Sequence, residues 1–136
     1  MSELQGGCAC GSVRYKITQP PMAVGVCHCR QCQYSSGGGP NYVALAPRAA
    51  FELTKGYPKG FKSAGGSGSD VERVFCPECG TPLYSDPTSM PFLAVKVGSL
   101  DDPSALSPAM HIWTAEAPPW HQMTPGLPAF AQGPPG

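Results

Sequence analysis

Seven cysteines in three tight clusters constrain this 136-residue chain more than any other feature of its sequence. The clusters are Cys8-x-Cys10, Cys27-x-Cys29-x-x-Cys32 and Cys76-x-x-Cys79. An odd number of cysteines cannot pair completely into disulfides within one chain, and such short spacings are typical of turns that present two thiolates to one metal ion. The clusters therefore predict that metal sites, rather than disulfides, join distant parts of the chain.

The ligand count predicts two zinc ions in sites of different kinds. A structural zinc is closed by four protein ligands, whereas a catalytic zinc keeps three and leaves one position open. Seven divides naturally into four and three, and the CHCRQC segment can supply three thiolates from one loop. The predicted open, catalytic set is Cys27, Cys29 and Cys32, and the predicted closed, structural set is Cys8, Cys10, Cys76 and Cys79.

Two other divisions of the cysteines remain open at this level. Two members of the CHCRQC segment can complete a structural site and leave the third as a buried free thiol. A four-cysteine site can also borrow a ligand from a neighbouring cluster. The spacings alone favour the division into four and three, because each set is then complete for a known type of zinc site.

An open three-thiolate zinc predicts chemistry on thiols. A thiol that binds such an ion loses its proton readily, whereas three thiolate ligands weaken the Lewis acidity that water activation needs. The leading hypothesis is therefore an enzyme that holds a thiol for reversible addition to a small electrophile. The alternatives are a non-catalytic module that docks a partner protein on two structural zincs, and a zinc hydrolase acting on another small molecule.

A few residues near the CHCRQC segment are candidates for supporting roles. His28 lies between two predicted ligands and is a candidate proton carrier, unless its side chain points away from the metal. Gly37 and Gly38 can present backbone N–H groups to an anion such as a carboxylate. Arg30 can offset the negative charge of the thiolates.

Aromatic and histidine residues elsewhere receive more ordinary interpretations. Tyr34 and Trp120 are candidate walls of a pocket, and Trp113 is expected to pack in the core. Because seven cysteines already fill both predicted sites, His111 and His121 are interpreted as strand or loop histidines rather than ligands.

The hydrophobic pattern predicts an all-β domain of short strands. Apolar and polar residues alternate over residues 12–18 and 71–75, and an apolar run over residues 92–97 suggests a central strand. With 17 glycines and 17 prolines and no long 3.6-residue period, we expect many turns and little helix. The residues after Cys32 (QYSSGGGPNY) are predicted to form a loop, and residues 65–69 a flexible hairpin tip.

Charge and composition argue against several classes of partner. Nine basic residues balance nine acidic ones, so nothing electrostatic favours nucleic acid or a membrane surface. No apolar stretch approaches the roughly 20 residues that span a bilayer. The first residues lack a signal-peptide pattern, so we expect a cytoplasmic protein with reduced thiols. Exposed edge strands leave open a monomer or a homodimer.

Four segments together carry a resemblance to a known family. They are GGCACGSVRY (6–15), CHCRQCQYSSG (27–37), FCPECGTPLY (75–84) and HIWTAEAPPW (111–120). In this order they resemble the glutathione-dependent formaldehyde-activating enzyme family, also called the centromere protein V domain. The resemblance implies a β-tent-like fold of short antiparallel sheets clipped by zinc, as a single domain over residues 1–130 with a Pro/Gly-rich tail at 131–136.

The same resemblance implies a function and a division of the ligands. It implies a zinc-dependent carbon–sulfur lyase that forms S-(hydroxymethyl)glutathione from glutathione and formaldehyde, with the four-cysteine site structural and the three-cysteine site catalytic. The chain departs from the family pattern in two places. Its hairpin tip at residues 65–69 is shortened and rich in Gly and Ser, with a Pro/Gly-rich tail at the end of the chain, and Glu116 stands where a basic residue is common. If Glu116 faced the pocket, it would repel a substrate carboxylate.

Overall fold

A computed structural model of the chain describes residues 3–64 and 70–133. These residues form ten short strands, one α-helix and four 3-10 turns. The helix is α1 (Arg30–Ser36), and the strands are β1 (Leu4–Gly7), β2 (Arg14–Ile17), β3 (Ala23–Cys27), β4 (Asn41–Pro47), β5 (Phe51–Lys55), β6 (Lys59–Ala64), β7 (Asp70–Phe75), β8 (Pro82–Pro87), β9 (Phe92–Lys96) and β10 (Met110–Ile112). The all-β prediction with little helix is confirmed.

The strands form two sheets. A small sheet has the order β1-β2-β5, and a large sheet has the order β10-β3-β4-β9-β8-β7-β6. Neighbouring strands are antiparallel, as predicted, with one exception: β10 runs parallel to β3, with Met110 opposite Gly25. A parallel neighbour requires a long connection, and the chain between β9 and β10 provides it. The sequence pattern did not reveal this pairing.

The core lies between the two sheets. Val13, Tyr15 and Ile17, which alternate with polar residues along the sequence, are all buried against Leu83 and Val95 of the large sheet. Full burial of such an apolar side chain contributes roughly 1.5–3 kcal/mol. The buried Tyr15 hydroxyl keeps a hydrogen bond to Ser99 at 2.6 Å, so burial leaves no polar atom of this side chain unpaired.

The loop predicted after Cys32 is wrong over its first part, because α1 continues to Ser36. Cys29 caps the helix, since its sulfur accepts a hydrogen bond from the Cys32 backbone N–H. Gly37 ends the helix with φ at 79°, a left-handed conformation that suits glycine. Within residues 3–64 and 70–133, no helix is long and apolar enough to cross a membrane.

The described part of the predicted tail is attached to the domain. The Trp113 and Ala115 backbone N–H groups donate to the Gln132 and Ala131 carbonyls at 2.9 and 3.1 Å. The chain therefore stays paired alongside the end of β10 through residue 132. The predicted hairpin tip at residues 65–69 and the last tail residues, 134–136, lie outside the described ranges.

Candidate metal centres

The two outer cysteine clusters meet in one group. The ligand atoms of Cys8, Cys10, Cys76 and Cys79 all lie within 4.8 Å of one another. The Cys10 sulfur is 3.6 Å from that of Cys8 and 3.8 Å from that of Cys76. Zinc–sulfur bonds of about 2.3 Å in a tetrahedron place neighbouring sulfurs about 3.8 Å apart. The sulfur spacing therefore fits four ligands around one tetrahedral ion such as zinc.

Local sequence explains the shape of the Cys76–Gly80 turn. This turn joins β7 to β8, and Gly80 takes a left-handed conformation at φ 80° that returns the chain toward the sheet. Its N–H donates to the Cys76 carbonyl at 2.8 Å. The Glu78 and Cys79 N–H groups point at the Cys76 sulfur, at 3.3 and 3.5 Å. Backbone N–H groups aimed at a sulfur stabilise a thiolate, which is the form that binds metal.

The middle cluster forms a second, separate group. Cys27 ends β3 and pairs with Asn41 of β4 and Ile112 of β10. Cys29 caps α1 and Cys32 lies in its first turn, and the three ligand atoms lie within 4.8 Å of one another. The two groups share no residue, so the structure gathers the cysteines as four and three. This group supplies three ligands where a closed zinc site needs four.

The three sulfurs are electrostatically unequal. The Cys27 and Cys29 thiols donate hydrogen bonds to the Cys32 sulfur, which lowers the pKa of Cys32, and the positive charge of Lys96 lowers it further. The hydrogen bond with Cys29 raises the pKa of Cys27, and its hydrogen bond with Cys32 and its burial raise it further. Cys32 is therefore the most acidic of the three thiols, and it is the one whose charge interacts most strongly with that of Lys96.

Lys96 is a site residue that sequence reasoning missed. It ends β9, is only 7% exposed, and its Nζ donates to the Ser85 hydroxyl at 3.4 Å. Burial lowers the pKa of Lys96, while the charge of Cys32 acts in the opposite direction. The available signal was the one charged residue inside the apolar segment FLAVKV. A charge in a buried strand usually has a partner, and here the partners are the thiolates.

A cleft of about 360 Å³ lies between α1 and strands β6 to β9, and it extends from Gln31 in the CHCRQC segment to Gly80 in the turn of the four-cysteine group. None of the cysteines is among its lining residues. Tyr34 and Gln31 line it from α1, and Phe61, Arg73 and Lys96 line it from the sheet. The predicted pocket wall at Tyr34 is therefore found, whereas Trp113 and Trp120 are not among the lining residues. Trp113 is half-buried and Trp120 stacks edge-on against His121 outside the cleft.

Three histidines form a buried hydrogen-bonded chain on the other side of the CHCRQC segment. His28 is fully buried, its Nδ1 is 2.9 Å from Nδ1 of His121, and its Nε2 is 2.9 Å from Nδ1 of His111. At one end the Thr124 backbone N–H reaches His111 Nε2 at 2.9 Å, and at the other His121 Nε2 reaches the Gly38 carbonyl at 2.8 Å.

The two ends of this chain assign its protons. A backbone N–H can only donate, so His111 Nε2 accepts the hydrogen bond from Thr124. The proton of His111 is then on Nδ1, which donates a hydrogen bond to His28 Nε2. A carbonyl can only accept, so His121 Nε2 carries the proton and donates to Gly38. His121 Nδ1 is then unprotonated and accepts a hydrogen bond from the Nδ1–H of His28. All three rings are then neutral. Burial and, to a lesser extent, the two neighbouring rings together lower the pKa of His28 to about 4.

This arrangement changes the interpretation of His28. Both of its ring nitrogens are used within the chain, so neither is free to meet a substrate. The predicted catalytic role of His28 therefore has no support in this geometry, and its place suits positioning of the CHCRQC segment. His111 and His121 belong to neither cysteine group, in agreement with their interpretation as strand and loop residues. Sequence separations of 83 and 93 residues hid the cluster.

The predicted anion site at Gly37 and Gly38 also finds no support. Both backbone N–H groups donate to the Gln33 carbonyl at the end of α1, so neither is free for a carboxylate. The Arg30 guanidinium lies 4.9 Å from the centre of the Tyr34 ring and bonds Gln33 rather than a thiolate. Lys96 takes the charge-offsetting place that the sequence suggested for Arg30.

Glu116 does not line the cleft. Its carboxylate accepts a hydrogen bond from the Arg30 backbone N–H at 2.8 Å, at the start of α1. The repulsion of an anionic substrate that was expected if Glu116 faced the pocket therefore does not arise. The carboxylate instead satisfies a helix N–H that has no partner within the helix.

Comparisons with known proteins agree with the fold and the cysteine groups. A crystal structure of a Rhodobacter sphaeroides protein matches with a TM-score of 0.58 at 17% identity, covering 93% of this chain and 98% of the other. An uncharacterized lyase of Schizosaccharomyces pombe is 30% identical over 87 residues, which are 62% of this chain. The match spans 58% of that relative's length.

One family model covers most of the sequence. The model of the glutathione-dependent formaldehyde-activating enzyme matches residues 3–116, which include all seven cysteines and both groups. The resemblance carried by the cysteine segments is therefore confirmed over a continuous region that contains β1 through β10. This chain belongs to the glutathione-dependent formaldehyde-activating enzyme family.

Proposed function

We propose that this protein is a zinc-dependent carbon–sulfur lyase that binds a thiol such as glutathione at the three-cysteine group and catalyses its reversible addition to formaldehyde or a related small electrophile. Membership of the family and the relative named as a lyase support a lyase-type enzyme. The observation that carries the specific proposal is the three-cysteine group itself, which offers three ligands in the segment whose Gln31 lines the cleft.

The residues at both cysteine groups suit zinc. Clustered thiolates are soft ligands that select zinc over calcium or magnesium, and no disulfide joins any of the seven cysteines. We propose one structural ion on Cys8, Cys10, Cys76 and Cys79 and one catalytic ion on Cys27, Cys29 and Cys32. When bound at the three-cysteine group, zinc would supply an open coordination position and lower the pKa of an arriving thiol.

The chain's own groups would then serve the addition. The buried Lys96 ammonium offsets the negative charge that collects where the sulfurs converge. In the reaction the thiol sulfur forms a bond to the carbonyl carbon of the aldehyde, and the π electron pair of the C=O bond moves to oxygen. That oxygen takes up the proton released by the thiol, so the product is a hydroxymethyl thioether. Reversal breaks the same carbon–sulfur bond.

The histidine chain gives this site its rigidity. His28 ties the CHCRQC segment to β10 through His111 and to the residues after α1 through His121 and Gly38. Held in this way, the three sulfurs keep their spacing without a fourth protein ligand. We therefore assign His28 a positioning role rather than a proton-transfer role.

Zinc content and thiol protection provide the first test. Freshly purified protein is expected to contain two zinc ions per chain, one of which a mild chelator removes and glutathione protects. Two ions that both ignore glutathione would favour the non-catalytic binding module. Turnover of small esters or amides without any thiol would favour the zinc hydrolase.

A Cys32→Ser variant provides the second test. Loss of a residue that only hydrogen-bonds to a metal ligand lowers metal affinity or activity by about 10- to 100-fold. Removal of a ligand itself should therefore lower thiol-dependent turnover by about 100-fold or more. The fold should survive, because this group lies within one short segment. Rates must be compared with the spontaneous reaction of glutathione and formaldehyde. Full activity in this variant would contradict the proposal.

The expected partners follow from the same proposal. The substrates are a small thiol and a small aldehyde, and the balanced charge of the chain gives no support for nucleic acid or a membrane. Seven unpaired thiols suit a reducing compartment such as the cytoplasm. The edge strand β6 is compatible with a monomer or a homodimer, whereas residues 128–132 already pair with β10 at the other edge of the large sheet.

A further inference from the structure

The cleft between α1 and strands β6 to β9 contains two positive charges that face the same side of the large sheet. Arg73 of β7 is directly opposite Phe61 of β6 and Ser85 of β8, and residues directly opposite in a sheet share a face. Lys96 extends to the Ser85 hydroxyl from β9, so it reaches the same face. Both cations line the cleft beneath α1.

The two cations of the cleft differ in their counter-charges, because Lys96 faces the cysteine thiolates. Arg73 and Lys96 lie close enough for the charge of Arg73 to lower the pKa of Lys96. No Asp or Glu is among the lining residues, and in residues 3–64 and 70–133 neither cation forms a salt bridge. Arg73 therefore lines the cleft without a carboxylate partner, and its positive charge provides a site for an anion.

The two cations differ in their relation to the metal ligands. The charges of Lys96 and of all three cysteines of the group act on one another, whereas Arg73 lies on β7, two strands away from β9. Lys96 is therefore the inner charge, next to the sulfurs, and Arg73 is the outer one. The Arg73 guanidinium uses one nitrogen to donate to the Ser63 hydroxyl at 2.8 Å, and its planar fork suits a carboxylate.

We propose that Arg73 binds a carboxylate of the thiol substrate and that the cleft thereby selects anionic thiols over neutral ones. This inference rests on the proposed function, since it places the sulfur of the same molecule at the three-cysteine group. Phe61 and Tyr34 form apolar walls across the cleft, which suits the carbon skeleton between thiol and carboxylate. Lys96 stands between the two ends and offsets the charge at the sulfur.

A matched pair of thiols distinguishes the roles of Arg73 and Lys96. Glutathione and its diethyl ester share a skeleton, but the ester has no carboxylate. Binding of each to the zinc-loaded protein is measured by titration calorimetry for wild type, Arg73→Gln, Arg73→Lys, Lys96→Gln and Lys62→Gln. Lys62 is an exposed lysine next to Phe61 on β6, so its replacement removes a neighbouring positive charge from the opposite face and serves as the control.

Wild type is expected to bind glutathione about tenfold more tightly than the diethyl ester, the size of one charge-assisted hydrogen bond. Arg73→Gln should weaken glutathione binding about tenfold and leave the ester within twofold. Arg73→Lys should weaken the binding of glutathione about threefold and leave that of the ester unchanged, because lysine keeps the positive charge but lacks the two-pronged guanidinium. Lys96→Gln should weaken both thiols by a similar factor, and Lys62→Gln neither.

The remaining outcomes overturn the inference in distinguishable ways. Wild-type protein that binds both thiols equally would exclude a carboxylate site while leaving the proposed function intact. Equal weakening of both thiols in Arg73→Gln and Arg73→Lys would show that Arg73 supports the sheet rather than the substrate. Wild-type protein that binds neither thiol would overturn the proposed function together with this inference.

Discussion

The two cysteine groups differ in how the chain assembles them. The four-cysteine group joins turns far apart in sequence, since Cys10 and Cys76 are separated by 66 residues, and Cys8 and Cys76 belong to the hydrophobic core. The three-cysteine group comes from one segment of six residues, held by a helix turn and a histidine chain. One group therefore closes a long loop of the fold, whereas the other is assembled within a single short segment of the chain.

This difference predicts that the groups respond differently to loss of a ligand, and the largest effect is expected at Cys76. A Cys76→Ser variant removes a fully buried sulfur and one ligand of the structural ion proposed to join the first turn to the middle of the chain. Structural zinc contributes about 10 kcal/mol or more of apparent binding free energy in small domains, so we expect loss of the folded state at room temperature. Circular dichroism and zinc content check this.

The matched control is Cys32→Ser in the other group. Its melting temperature should remain within about 5 °C of wild type, because no long loop depends on it. If both variants unfold, or if both remain folded, the distinction between a structural and a local group is wrong.

Acid should lower the free energy of unfolding through His28, the central residue of the histidine chain beside the three-cysteine group. An exposed histidine in the unfolded chain titrates near 6.5, whereas the folded pKa of His28 is about 4. The unfolded state therefore binds the proton first. The stability from neutral His28 is complete above pH 6.5 and is lost as the pH falls through 4, by about 3 kcal/mol in total.

Urea unfolding between pH 7 and pH 4 measures this loss. Thiolates also take up protons in acid, so the relevant quantity is the difference in slope between wild type and a His28→Leu variant, which keeps every cysteine. The slope of the variant should be smaller between pH 6.5 and 4. Parallel pH profiles would mean that His28 does not titrate with unfolding.

A smaller loss of stability is expected when one end of the histidine chain is removed. His121→Ala deletes the acceptor of the His28 N–H and the donor to the Gly38 carbonyl. A buried donor without a partner costs about 1–3 kcal/mol in the free energy of unfolding. Urea unfolding measures it, with Trp120→Ala as the control, since that neighbouring ring is exposed. Equal effects of the two changes would contradict the assignment of the chain.

The smallest effect is expected at a surface ion pair near the four-cysteine group. Arg14 of β2 donates to Asp101 at 2.8 and 2.5 Å, but both side chains are partly exposed to solvent. Exposed pairs contribute about 0–1 kcal/mol, so Arg14→Ala should change the urea midpoint only slightly. A loss as large as that of Cys76→Ser would mean that charge, rather than metal ligands, holds this region together.

Local sequence signals predicted the parts of the structure that depend on neighbours along the chain. The alternating residues around Tyr15 became a buried strand face, and the CPECG segment became a turn with Gly80 in a left-handed conformation. The loop predicted after Cys32 failed because a sulfur cap at Cys29 and a glycine end at Gly37 stabilise a helix of seven residues. Such caps depend on side-chain geometry that residue type alone does not reveal.

The sequence by itself favoured the division of the cysteines into four and three, because a closed zinc site takes four protein ligands and an open one takes three, and the structure then gathered the thiols in those two groups. The three-dimensional structure decided the neighbours of the open group. His28, His111 and His121 meet across more than 80 residues, and Lys96 and Arg73 share a cleft because strands β7, β8 and β9 lie side by side. Contacts of that kind follow from strand order and register, which no local pattern in the sequence specifies.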